Sequence, residues 1–192
     1  MNNNPYGQWQ QGGAAPSVFG ALPSAPASNP PSAMPNSVTF TFTSFKTTIL
    51  NSTVVGPQQR TVYRVVTEPT APACTIFKDN ESRNAAMVQW QPHATVEVHG
   101  VAAKQRVRDW LRLASDQSRR VMDFRGVQYG WAPMEGFICL YKVQSQAPRV
   151  LARIARIPNN VMLEMTQEAL QAGMLEACLV ATVMLCCGHN ID

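Results

Sequence analysis

The chain has 192 residues (21.1 kDa) and a formal charge of +4, a length that suits one domain plus a tail and excludes two full enzyme domains. Its hydrophobic fraction of 45% is that of a globular protein, yet only 15% of its residues are charged, against about 25% in an average domain. A core can form, and the solvated surface must be built largely from Ser, Thr, Asn, Gln and Pro.

From Met1 to Asn36 there is no charged side chain, and seven of the fourteen prolines fall there among Gly, Ser, Ala, Asn and Gln. Such a segment has too little apolar surface to offset its chain entropy, so residues 1–36 are expected to be a disordered Pro/Gly/Asn/Gln-rich tail. Tyr6, Trp9 and Phe19 are either recognition points for a protein partner or sparse aromatics in a tail.

At Val38-Thr39-Phe40-Thr41-Phe42-Thr43 apolar residues and threonines alternate, the period of a half-buried strand. Comparable runs follow at Lys46 to Leu50, Thr61 to Thr67, Cys74 to Lys78, Ala85 to Trp90, Thr95 to His99, Arg120 to Phe124, Val127 to Trp131, Phe137 to Val143, Val150 to Arg156 and Val161 to Met165. Turn formers separate them. Asn51-Ser52-Thr53 and Asn80-Glu81-Ser82 read as turns rather than glycosylation sites. Val101 to Ser115 is ambiguous between a short helix and a bent strand. About ten short strands with connections too short for crossover helices imply a mainly β, antiparallel sandwich or barrel.

Gly173 to Cys187 has no polar face at any period, which requires burial on all sides. The apolar run from Ala177 to Cys187, broken only by Thr182, falls short of the roughly 20 residues a bilayer requires. A buried core helix at about 173–187 is therefore favoured over a tail anchor. With the strands, it gives the expected architecture of a β-barrel or strongly curved sheet enclosing one hydrophobic helix, spanning 37–192.

Cys74, Cys139, Cys178, Cys186 and Cys187 are odd in number and irregularly spaced, which is not a disulfide framework. The first residues, Met-Asn-Asn-Asn-Pro-Tyr-Gly-Gln-Trp, lack the basic and apolar regions of a signal peptide. An intracellular, cytoplasmic protein, not secreted by a signal peptide, is the expectation. The Cys186-Cys187 pair could accept palmitate if the helix end is exposed.

A β-rich body ending in one buried apolar helix resembles the tubby-like superfamily, which includes tubby C-terminal domains, phospholipid scramblases and LURP-one-related proteins. A closer likeness is to a fungal group, the domain of unknown function numbered 6593. The elements carrying it are Arg120-Val121-Met122-Asp123-Phe124, Gly126-Val127-Gln128-Tyr129-Gly130-Trp131, the strand Phe137 to Tyr141, and the helix Leu175 to Leu185 with Thr182 in place. Arg125 departs from the pattern, which would have an acidic turn residue there. The resemblance covers about Val38 to Cys187 and implies a tubby-like fold. In tubby domains a basic pocket binds phosphoinositide headgroups.

Seven cations, Lys104, Arg106, Arg108, Arg112, Arg119, Arg120 and Arg125, lie between Val101 and Arg125 against three anions, Asp109, Asp116 and Asp123. The basic excess is local, as a patch meeting phosphates or an anionic membrane surface would be. Those seven are the candidate ligand residues, and a solvated face with partial Asp pairing is the ordinary alternative. Nucleic acid is the weaker partner, because only Trp110 lies among them and Tyr129 and Trp131 read as inward-facing. His93, His99 and His189 stand apart with no metal or nucleophile motif nearby, so neither enzyme activity, metal nor cofactor is expected. Two readings remain: a non-enzymatic tubby-like module binding anionic phospholipid headgroups, peripheral at membranes, or a structural or protein-interaction domain without a small ligand.

Overall fold

The computed structural model describes residues 34–43, 48–69, 73–145, 149–157 and 159–192, so the tail expected at 1–36 lies almost wholly outside them. Among the described residues, thirteen strands form one antiparallel sheet. They are β1 (Ser37–Thr43), β2 (Ser52–Val55), β3 (Thr61–Glu68), β4 (Cys74–Asp79), β5 (Asn84–Gln89), β6 (Thr95–Val98), β7 (Ala102–Arg106), β8 (Leu111–Leu113), β9 (Arg120–Phe124), β10 (Val127–Met134), β11 (Phe137–Lys142), β12 (Val150–Ile157) and β13 (Asn160–Thr166). The helices are α1 (Val107–Trp110), α2 (Gln167–Gln171) and α3 (Leu175–Cys186).

The alternation that predicts β1 sets its faces: Phe40 and Phe42 are buried, while Thr39, Thr41 and Thr43, which alternate with them, turn outward. The strand expected at Lys46 to Leu50 does not form over the described residues 48–50, which make a turn. Ile49 and Leu50 are buried there without a ladder. The Ser52 hydroxyl donates to the Ile49 carbonyl at 2.8 Å and the Leu50 amide to Thr48 Oγ1 at 3.3 Å, so side chains meet the turn's hydrogen-bonding needs. The next strand begins at Ser52, inside what the sequence reads as a turn. Asn80-Glu81-Ser82 is the turn expected. The ambiguous 101–115 stretch resolves into strand, one helical turn and strand, and α2 is an addition, capped by Thr166 Oγ1 accepting from the Ala169 amide at 3.2 Å.

The strand order is β7-β6-β5-β4-β3-β2-β1-β13-β12-β11-β10-β9-β8. Two meanders, β1 to β7 and β8 to β13, join through the β1·β13 ladder. The edge strands β7 and β8 are neighbours in sequence, linked only by α1. Laid flat, thirteen strands about 4.8 Å apart would be roughly 58 Å wide, whereas the five steps from Arg106 to Leu111 span at most ~18 Å. The sheet must therefore curl until its edges approach at α1, though among the described residues no ladder closes it.

Inside the curl lies one hydrophobic cluster, with Val54, Phe77, Val88, Val96, Leu111, Met122, Trp131, Leu140, Ile154 and Leu163 meeting the residues of α3. Every residue of α3 from Ala177 to Leu185 is buried, and the helix touches strands far apart in the sheet, β5, β6 and β13. The sequence-based expectation of a helix buried on all sides holds over these residues. Tyr129 and Trp131 do face this cluster. Thr182 is accommodated because its hydroxyl donates to the Cys178 carbonyl at 2.7 Å, satisfying a group whose lone burial would be costly. A smaller cluster, Phe137, Cys139 and Ala155, sits on the opposite face. There the Arg153 guanidinium covers the Phe137 ring at 4.2 Å and pairs with the buried Glu164.

A cationic corner where the sheet edges meet

The seven candidate cations separate into three environments. Lys104 and Arg106 alternate along β7, and Lys104 Nζ donates to Gln89 Oε1 at 3.0 Å, which puts this row on the outward face of the sheet. Arg108 projects from α1, exposed. Arg112 lies outward on β8 opposite Val121, and Arg119 stands at the start of β9, where the Ala114 amide donates to its carbonyl at 2.9 Å. These five flank the place where the two edges approach. Two carboxylates approach them loosely: Arg108 reaches Asp109 at 3.9 Å in a largely exposed pair, and the half-buried Arg119 reaches Asp116 at 4.0 Å. Pairs of that length near solvent are worth about 0 to 1 kcal/mol, so neither guanidinium is committed to its carboxylate. The Asp116 carboxyl is held below its usual range chiefly by accepting from the Ser118 amide and hydroxyl, with a smaller contribution from the charge of Arg119.

Arg120 does not belong to that surface. It is 1% exposed, and its guanidinium grips the Asp192 carboxylate with two bonds, 3.0 and 2.7 Å, while also donating to the Leu111 carbonyl at 2.9 Å. The period of two carries the signal: Met122 and Phe124 face inward, Asp123 faces out, and Arg120 has the inward parity.

Arg125 also leaves the group, at the far end of β9. Together with Gly126 it makes a two-residue hairpin turn, with φ of 49° and 78°, the conformation that favours Asn-Gly or Asp-Gly. An arginine survives there through contacts elsewhere. Its Nη1 donates to the Ala172 carbonyl at 3.2 Å between α2 and α3, and its guanidinium lies 5.2 Å from the Phe124 ring centre.

The family of unknown function DUF6593 matches residues 47–186. The chain belongs to that family. A solved X-ray structure of a protein from Arabidopsis thaliana resembles this DUF6593 chain with a TM-score of 0.43 and 13% identity, covering 76% of this chain and 91% of that one. No curated protein matches it.

Other chemistry in the DUF6593 chain is muted. Among the described residues no group of three or more His, Cys, Asp or Glu could hold a metal, and no helix is long and apolar enough to cross a membrane. All five cysteines are free thiols. Burial pushes Cys139 up to about 11, Cys186 to about 12 and Cys187 to about 11, which suppresses the reactive thiolate. The condition for acylation, an exposed helix end, is not met at Cys187, which is buried. Trp110 is buried too and offers no stacking face to a base. A groove of about 510 Å³ runs beside β1, lined by Thr39, Thr41, Thr43 and the turn Gly56 to Gln59, away from the cationic corner.

Proposed function

We propose that this domain is a non-enzymatic, tubby-like module with α3 as its central helix, and that its corner cations hold anionic phospholipid headgroups at a membrane surface. The carrying observation is the group of five outward cations, Lys104, Arg106, Arg108, Arg112 and Arg119, which among the described residues meet carboxylates in two long contacts. Arg forks suit phosphate oxygens. A basic group beside an anionic leaflet gains about 1 kcal/mol per cation. Changing Lys104, Arg106, Arg108 and Arg112 together to Ser should thus weaken co-sedimentation with phosphatidylcholine vesicles carrying anionic lipid by roughly a hundredfold or more. Retention of full binding by that variant, or no binding by the wild type, would overturn the reading in favour of a structural or protein-interaction domain.

A further inference from the structure

Gly130 sits mid-strand in β10, paired with Val121 on one side and Tyr141 on the other. Its backbone is not left-handed, so conformation does not demand a glycine; its neighbours do. A Cβ at this position would lie 3.1 Å from Tyr141 Cζ, 3.2 Å from Tyr141 Oη and 3.4 Å from Arg119 Cδ. The phenol and the arginine stem thus converge over a notch on the outward face. Among the described residues Arg119 Nε is buried with no hydrogen-bond partner, and the nearest carboxylate, Asp116, is 4.0 Å from its Nη1. No described residue accepts from that Nε, although buried donors are nearly always satisfied. Arg112 is the diagonal neighbour of Arg119 across the β8·β9 pair, a separation of about 7–8 Å.

We propose that Arg119, Arg112 and Tyr141, arranged around Gly130, form a binding site for a phosphate monoester. The inference rests on the anion-binding reading of the corner and names its ligand chemistry. Two guanidinium groups and a phenol from a third strand supply three separate donor groups. A monoester presents three terminal oxygens to match them, a diester only two, and a carboxylate is planar and suits a single fork. A lipid headgroup and a free phosphate share this chemistry.

The test uses the full chain with ¹⁵N-labelled arginine. Inorganic phosphate, titrated against chloride at matched ionic strength, should shift the Arg119 Nε resonance, and Tyr141→Phe and Gly130→Ala should each weaken that response about tenfold. In vesicles of equal charge, phosphatidylinositol 4-phosphate carries a monoester and phosphatidylserine does not. Wild type should prefer the former at least tenfold, and Tyr141→Phe should lose the preference while keeping phosphatidylserine binding. A response to inorganic phosphate without vesicle binding would keep the site, assign it to soluble phosphates and remove the membrane reading. Vesicle binding lost in the Lys104, Arg106, Arg108 and Arg112 variant, yet indifferent to Tyr141→Phe and Gly130→Ala, would keep the membrane reading and overturn the site. Silence of Arg119 toward every probe would overturn it as well.

Discussion

Replacing Asp192 with Ala takes the bidentate carboxylate from a guanidinium that is 1% exposed. Breaking a buried ion pair from one side costs about 3–5 kcal/mol, because the remaining charge stays desolvated. Two features reduce that figure here: Asp192 is itself 39% exposed, so water already screens part of the pair, and Arg120 keeps its bond to the Leu111 carbonyl. The expected loss is about 2 to 3 kcal/mol, or roughly 4–12 °C in Tm for a domain of this size. The double variant Arg120→Met, Asp192→Ala removes charge and partner together and should recover to within about 1 kcal/mol of wild type, since apolar replacement of buried pairs is often neutral. Urea unfolding followed by fluorescence of the buried Trp110 and Trp131 gives both values. An Asp192→Ala protein within about 0.5 kcal/mol of wild type, or a double variant no better than the single one, would refute the account of Arg120 as an internal, paired charge.

The remaining expectations concern the helix, a turn and pH. Leu179, 1% exposed in α3, changed to Asp would bury an unpaired charge at a cost of several kcal/mol, comparable with a total stability of about 5–15; the variant should be insoluble or unfolded. A chain ending at Ala172 should show no cooperative thermal melt, and a cooperative one would mean that α3 is not core. Arg125→Asn should remain within about 1 kcal/mol of wild type, the better turn residue offsetting the lost contacts, whereas the β-branched Arg125→Val at a φ of 49° should lose about 1–3 kcal/mol by urea titration. Burial lowers the pKa of His189, whose ring lies 4.6 Å from that of Trp90, so the unfolded chain binds its proton first as pH falls. Stability should therefore decline on acidification through about pH 6.5 toward the lower folded value, and Tm measured from pH 8 to 5 should be flatter in His189→Gln.

Local pattern made much of the fold legible. The alternation around Phe40 and Phe42 gives both the existence of β1 and its buried face, and the absence of a polar side in α3 gives its burial from Ala177 to Leu185. Ile49 and Leu50 misled because apolar residues can be buried at a turn as well as in a ladder, and nothing local distinguishes the two. The short edge strands β7 and β8 were hidden for a related reason: β7 is mostly exposed along its length, so it carries no buried face for the alternation to report. In the candidate site, net charge located the corner but could not sort its members. Arg120 is separated from Arg119 by parity alone, and Arg125 by a turn conformation its residue type does not announce. The notch at Gly130 depends on a residue one strand away and another at the start of β9, a proximity that only the sheet register creates.

The order of strands also bears on how the chain can be divided. Among the described residues every ladder but one joins strands adjacent in sequence, and the exception, β1 with β13, pairs Ser37 with Thr166. The family match begins at residue 47, beyond β1, so the strand that fastens the two meanders together lies outside the matched region. A cut within α1 would therefore sever no ladder and would yield two pieces of unequal character. One supplies seven strands and no core helix; the other carries six strands with α3. Each presents an unpaired strand, β1 or β13, whose natural partner is on the other piece. Such halves are suited to split-protein complementation, in which reassembly reports whether two fused proteins have met.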